Sequence, residues 1–319
     1  AEKKSLLIGK KNITAYCFFY RNSCKRKGVV GNLRRRIKNK RKKFWHIYCF
    51  IIMQEVSEEK TGGLIMNEKV RDIDALAGER WFPLETSIVD DMKNLWGDWG
   101  VCSEVDTLRD VIMRRPGKEI ENFDWEAARF KAPIDPEKFR KQHDGLAQVY
   151  KDHGVRVHYI EEQREDRPNA LVCRDLLLMT PEGAIVTRPA MEARRGEERY
   201  MAKALAELGV PIIRTICGDA TFEGAMGLWI DRHTIVLASG VRTNRSGYEM
   251  VEQELRRMGV TDILHMQIPY GHAHIDGLLN MASNDVAMIH ASQVPYDVCD
   301  ALKKKGIKLL ECPSRIEAK

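Results

Sequence analysis

The 319-residue sequence lacks a transmembrane helix. Its longest apolar run near the start, Phe44 to Met53, has ten residues and includes His46, whereas a span needs about 20. Closely paired cysteines are missing as well. The eight cysteines, at 17, 24, 49, 102, 173, 217, 299 and 312, form no Cys-x-x-Cys spacing. That excludes a disulfide-dense mini-protein and predicts mostly reduced thiols in a cytoplasmic protein. Glycine (23) and proline (11) are too sparse for collagen or low-complexity disorder. What is present is ordinary globular material, with 44% hydrophobic residues. A chain near this length buries roughly 75% of its unfolded surface, so a core of normal size is expected.

The net charge of +6 averages two unlike pieces. Residues 1–65 carry 17 Lys and Arg against 4 Glu, and residues 66–319 carry 35 Lys and Arg against 42 Asp and Glu. The larger piece is acidic, which gives no reason to expect nucleic acid as a partner. Residues 1–65 resemble a signal peptide only in part, because a basic run precedes a short apolar run without a small-residue cleavage site. Three readings are open for them: a start codon assigned too early, a flexible basic tail, or a targeting or surface-binding element. The first is favoured. Thr61-Gly62-Gly63 can be encoded by a purine-rich ribosome-binding sequence, and Met66 follows at the spacing of a bacterial start. Residues 66–98 then form a lead-in and 99–319 the main domain.

From about residue 100 the chain repeats itself. Each unit predicts a strand, a tight turn, a second strand, an amphipathic helix ending at glycine, and a third strand. One unit runs from Asp175 through the turn Thr180-Pro-Glu-Gly183, a helix Glu197–Leu208 and a strand from Val210 to Ile216. The next runs from Glu223 through the turn at Asp231-Arg-His233, a helix Tyr248–Met258 and the strand Asp262–Ile268. Another begins at Asp276, with a helix Tyr296–Lys305. An earlier copy has a strand Asp110–Arg114, a helix Pro136–His153 and a strand Val155–Ile160. Glycines at 154, 209, 259 and 306 close the four helices, as expected for residues that adopt the left-handed conformation at little cost. A period near 50 predicts a radial repeat, with blades around an axis. A doubly wound parallel sheet is the alternative, but it leaves the doubled strand before each helix unexplained.

An acidic residue opens the first strand of three successive units: Asp175, Glu223 and Asp276. Symmetry would bring them to one axis, and converging carboxylates suit a planar cation such as a guanidinium. The segment Pro269-Tyr-Gly-His-Ala-His-Ile-Asp-Gly277 puts His272, His274 and Asp276 at alternating positions, which a strand would turn to one face. Two chemistries fit that stripe. One is a metal site of imidazoles and a carboxylate, giving a metal-dependent hydrolase. The other is acid–base work by one histidine oriented by a carboxylate. Histidines hydrogen-bonded in a polar turn are the structural alternative.

The chain from about Trp99 onward resembles the guanidino-group-modifying enzymes, the pentein superfamily of arginine deiminases, dimethylarginine dimethylaminohydrolases and amidinotransferases. Four short pieces carry the resemblance through their order and spacing: Cys173-Arg-Asp175, Phe222-Glu-Gly224, Val241-Arg-Thr243 and His274-Ile-Asp276. The resemblance implies an α/β fold, a pseudo-symmetric five-bladed β/α propeller of which four blades are visible in this chain. It implies that Asp175 and Asp276 hold a substrate guanidinium. His274 would be the general acid/base and Glu223 its support. Arg242 would pair with the substrate carboxylate, and one of Arg194 and Arg195 would assist. A cysteine thiolate would form a covalent amidino intermediate, resolved by water or by an acceptor amine. Hydrolysis is favoured over amidino transfer.

Two departures from the family pattern bear on this. The Gly-Gly-Asp usual after Phe-Glu reads Gly224-Ala225-Met226. The nucleophilic cysteine belongs to a fifth blade beyond the four visible here. Cys312 sits where a blade ends and is not assigned to that role, and Cys173, Cys217 and Cys299 read as small core residues. The expectation is a truncated, inactive chain whose full-length form acts on a small guanidino substrate such as arginine. No cofactor or resident metal, nucleic acid or membrane partner is expected, and a homodimer is.

Overall fold

The computed structural model describes residues 85–312. The 1–65 extension and most of the 66–98 lead-in lie outside the described residues. Among the described residues, four small sheets follow one another in chain order. The first pairs β1 (Asp110–Met113) in parallel with β2 (Arg156–Tyr159), joined through helix α1 (Pro136–Asp152). The other three share one plan, an antiparallel hairpin followed by a helix and a returning strand parallel to its second arm. They are β3 (Leu177–Thr180), β4 (Gly183–Val186), α2 (Glu198–Glu207) and β5 (Ile212–Thr215); β6 (Gly227–Asp231), β7 (Thr234–Ser239), α3 (Arg245–Arg257) and β8 (Asp262–Gln267); and β9 (Leu279–Ser283), β10 (Val286–Ile289), α4 (Tyr296–Lys304) and β11 (Lys308–Glu311). The doubled strand before each helix, expected from the repeat, is present in these three sheets. Among the described residues no helix is long and apolar enough to cross a membrane.

The local chemistry explains the elements. Helix α1 starts where Asp135 accepts the backbone N–H groups of Glu137 and Lys138, with Pro136 in the first turn. Each helix is followed by a left-handed glycine: Gly154, Gly209, Gly259 and Gly306 have φ between 76° and 82°. In the β3–β4 turn, the Thr180 hydroxyl donates to the Gly183 carbonyl at 2.7 Å and accepts from the Glu182 N–H. The middle strands carry the core. Every residue of β4 is buried, as is Thr234 to Ala238 of β7, because a central strand is covered on both faces. Trp229, on β6, is buried and donates its indole N–H to the Met179 carbonyl of the preceding sheet at 2.9 Å.

Three sequence expectations are corrected. Helix α3 begins at Arg245 rather than Tyr248, because the Asn244 side chain caps it by accepting the Gly247 N–H at 2.9 Å. The acidic residues do not open strands: Asp175 and Asp276 lie in short 3-10 turns, Cys173–Leu176 and Ile275–Gly277, that precede β3 and β9. Glu223 is the N-cap of the matching turn Gly224–Met226 before β6. The stripe His272, His274 and Asp276 is not a strand either. Gly271 takes φ 95°, and His274 then N-caps its 3-10 turn, so the period-two argument does not apply there.

Candidate active site

The three 3-10 turns at the entries of the second, third and fourth sheets bring Asp175, Glu223 and His274 together. One ligand-type atom from each lies within 4.8 Å of the others. Glu223 and His274 hold the same N-cap position in successive repeats. The positional partner of Glu223 is therefore His274, not Asp276. The approach depends on Gly224: a Cβ there would meet backbone of the Asp175 turn, at 2.6 Å from the Leu177 carbonyl carbon. Only a residue without a side chain lets the two turns touch.

Each acidic side chain is held by named donors. The Nε2–H of His274 donates to Glu223 Oε2 at 2.7 Å. Glu223 Oε1 accepts the Ala190 N–H at 3.0 Å and Arg242 Nη1 at 3.3 Å. Ala190 is placed by the antiparallel bridge between Arg188 and Phe222. A carboxylate only accepts, so the proton of the short contact sits on the imidazole Nε2. Asp175 Oδ1 lies 3.5 Å from the same Nε2. Its Oδ2 accepts from Arg194 Nη1, and its backbone carbonyl accepts the buried Thr187 hydroxyl at 2.7 Å. Arg194 also sends Nε and Nη2 to Glu197 Oε2, at 3.0 and 2.8 Å, and Nη2 to the Val172 carbonyl at 2.9 Å. Asp175, Glu223, Arg194 and Glu197 are all at most 4% exposed.

The electrostatics follow from this packing. Burial disfavours the imidazolium of His274, but the Glu223 hydrogen bond and the charges of Asp175, Glu223 and Asp276 outweigh it and hold His274 above its ordinary value. Burial also works against the Glu223 carboxylate, and His274, Arg242 and the Ala190 N–H reverse that, leaving Glu223 below its usual range. For Asp175, burial wins and its carboxyl is raised despite His274 and Arg194. Burial pushes Glu197 up to about 7 against the pull of Arg194. Cys173, in the turn beside Asp175, is pushed up to about 12 by burial, and its thiol faces the Ala170 carbonyl.

The sequence-predicted residues divide accordingly. Asp175, Glu223 and His274 converge, and Arg242 reaches the cluster through Glu223. Asp276 is exposed and acts on His274 only through its charge. Of the two adjacent arginines, Arg194 enters the cluster, while Arg195 Nε donates to the Pro189 carbonyl. Among the described residues the carboxylate–imidazole set able to hold a metal is Asp175, Glu223 and His274, and not His272, His274 and Asp276. Two guanidiniums already grip its carboxylates, which a resident dication would have to displace. Sequence reasoning missed Glu197 and Thr187. Arg194 ends one 3-10 turn and Glu197 caps the next helix, with Gly196 at φ 95° between them, so no regular spacing marks Glu197, and nothing in the sequence marks Thr187. No hydrogen bond joins Cys102, Cys173, Cys217, Cys299 or Cys312 to His274 among the described residues.

Comparison with known proteins gives the geometry a context. A family model described as N,N-dimethylarginine dimethylhydrolase, eukaryotic, matches residues 117–315. The uncharacterized protein YkgA of Bacillus subtilis is 25% identical over 224 residues, covering 67% of this chain and 73% of that protein. The structure resembles the N-terminal domain of ArgZ, a cyanobacterial arginine dihydrolase solved with its product. The TM-score is 0.56 at 15% identity, over 66% of this chain and 77% of that one. It also resembles the dimethylarginine dimethylaminohydrolase of Pseudomonas aeruginosa solved with citrulline. There the TM-score is 0.52 at 16% identity, over 64% of this chain and 92% of that one.

Proposed function

Because the chain belongs to the dimethylarginine dimethylaminohydrolase family of guanidino-group-modifying enzymes, we propose that its three-turn cluster binds the guanidinium of arginine or a close relative for hydrolysis. One observation carries the reading. Carboxylates and an imidazole from three successive repeats meet at one point, with His274 on Glu223 at 2.7 Å and Asp175 facing the same nitrogen. Asp175 holds the guanidinium through its Oδ1 side, and Arg242 takes the substrate carboxylate. A thiolate attacks the guanidinium carbon, and the bond to the departing nitrogen breaks. That nitrogen leaves as ammonia or an amine with a proton from imidazolium His274. Water then adds to the amidino-thioether carbon, giving one proton to His274 and the other to solvent, and the thiolate departs, leaving a ureido product. The raised His274 suits the first step, because its carboxylate neighbours favour the protonated ring that the leaving group needs. Cys173 is a poor candidate for the thiolate, since burial keeps it a thiol. The nucleophile is thus assigned to none of the five described cysteines, none of which hydrogen-bonds His274.

The repeated sheet plan supports a radial arrangement of blades around an axis. The acidic balance of residues 66–319 supports a small-molecule partner over nucleic acid, and unpaired cysteines support a cytoplasmic setting. A homodimer belongs to the same reading. The test is calorimetric titration with L-arginine and N,N-dimethyl-L-arginine, with L-citrulline as the uncharged control. Binding of the guanidino compounds that is lost in Asp175→Asn supports the reading. Equal binding of citrulline, or binding indifferent to Asp175→Asn, refutes it. Citrulline released in the same samples assigns hydrolysis, whereas ornithine released only when glycine is added assigns amidino transfer.

A further inference from the structure

The side of the cluster away from His274 holds a second buried pair that the proposed reaction does not use. Glu197 stands at the N-cap of α2, yet its side chain makes no capping hydrogen bond. It is fully buried and turned toward Arg194. The contact is unusual in one respect. A buried Arg–carboxylate pair gains most from two parallel bonds to two oxygens. Here Arg194 Nε and Nη2 both converge on Oε2, and the buried Oε1 has no hydrogen-bond partner. A partnerless buried acceptor costs about 1–3 kcal/mol. That cost is tolerated in an arrangement that leaves the third nitrogen, Nη1, aimed at Asp175 Oδ2. With Nη2 also donating to the Val172 carbonyl, every nitrogen of the Arg194 guanidinium is fixed.

We infer that Glu197 is a positioning residue: through Arg194 it sets both the orientation of Asp175 and the negative charge Asp175 presents to His274 and to a bound guanidinium. Without a second carboxylate, Arg194 would spend its whole charge on Asp175 and neutralise the group that must attract a cation. Glu197 shares that charge, so Asp175 Oδ1 stays electron-rich while Oδ2 anchors its plane. The charged groups facing Glu197 are Arg194, Asp175 and Arg167. Arg167 is itself tied by Nε to the Arg195 carbonyl. The position of Glu197 near neutrality, caused chiefly by burial, adds that the device weakens in acid. The inference deepens the function proposed above and relies on it for the identity of the ligand, but not for the effect on His274.

Two readouts in one set of proteins test it at pH 8.5, where Glu197 is ionised. The His274 midpoint is read by NMR of its imidazole, and L-arginine affinity by calorimetry. In Glu197→Gln the cluster gains a net positive charge. The His274 midpoint is expected to fall by about half a unit or more, and L-arginine to bind roughly tenfold more weakly, with the affinity difference from wild type shrinking below pH 7. Glu197→Asp, charged but shorter, gives an intermediate midpoint. Should Glu197→Gln fail to fold, a Glu197→Asp midpoint below wild type sustains the inference and an identical one overturns it. A folded Glu197→Gln protein with an unmoved His274 midpoint overturns it, whatever happens to arginine binding. If the midpoint falls but wild-type protein does not bind L-arginine, the positioning role stands and the guanidino reading fails.

Discussion

Replacing Gly224 by alanine should damage the site more than the fold. The added Cβ would lie 2.6 Å from the Leu177 carbonyl carbon, against about 3.5–4.0 Å for an ordinary carbon–carbon contact. The Leu177 and Arg174 carbonyl oxygens lie nearer still, so at least about 1 Å must open between the turn that carries Glu223 and the turn that carries Asp175. The obstacle is backbone, which cannot rotate away as a side-chain tip could. If Glu223 moves by that amount, its 2.7 Å bond to His274 stretches beyond the ~3.5 Å at which a hydrogen bond is lost. Overpacking of this kind costs about 1–3 kcal/mol, and a misplacement near 1 Å costs an active site about 100-fold. Urea denaturation should show a lowered midpoint with an unchanged slope. The NMR midpoint of His274 should fall toward its ordinary value, because the Glu223 bond helps to raise it. A Gly224→Ala protein with wild-type stability and an unmoved His274 would refute the claim that close contact of these turns builds the site.

Three further outcomes follow from the same geometry. His274 is raised from an ordinary 6.5 and Glu223 lowered from 4.5, so the stability from their pair is lost above the first value and below the second. The penalty of His274→Gln in denaturation midpoint should therefore peak between about pH 4.5 and 6.5, and a penalty that is flat across pH 4 to 9 contradicts the pairing. Thr187→Val deletes a fully buried hydroxyl that donates to the Asp175 carbonyl and should cost about 1–2 kcal/mol, measured by urea unfolding; no loss would mean that carbonyl needs no partner. Arg242→Ala should weaken L-arginine binding by about 10- to 100-fold while changing agmatine, which has no carboxylate, far less. Equal losses for both ligands would confine Arg242 to supporting Glu223.

The repeat was legible because glycine is nearly obligatory where a helix must close in the left-handed conformation, and Gly154, Gly209, Gly259 and Gly306 stand at almost even intervals. Asp175 and Glu223 were legible as members of the site because they stand at the head of the repeats, and His274 because of the His-rich stretch and the family resemblance. Their exact partners were not. Period-two reasoning placed His272, His274 and Asp276 on one strand face, but Gly271 and the 3-10 turn break the period, leaving Asp276 exposed. The start of α3 was missed because the Asn244 cap outweighs the apolar pattern that begins at Tyr248. Arg194 could not be separated from Arg195, since neighbouring residues with identical chemistry differ only in the direction the backbone gives them. Glu197 was invisible for a related reason: an acidic residue at a helix start reads as a solvated cap, and only the tertiary fold buries it against an arginine.

The central claim is that Asp175, Glu223 and His274 form a receptor for a guanidinium. A crystal structure of the protein with L-arginine tests it most directly. The account predicts guanidinium nitrogens at about 2.7–3.2 Å from the Asp175 carboxylate, with the guanidinium carbon beside His274 and Arg194 still held by Glu197. Arginine ordered elsewhere on the molecule, with Asp175 bonded only to Arg194 and the space before His274 free of ligand at saturating concentration, would contradict it.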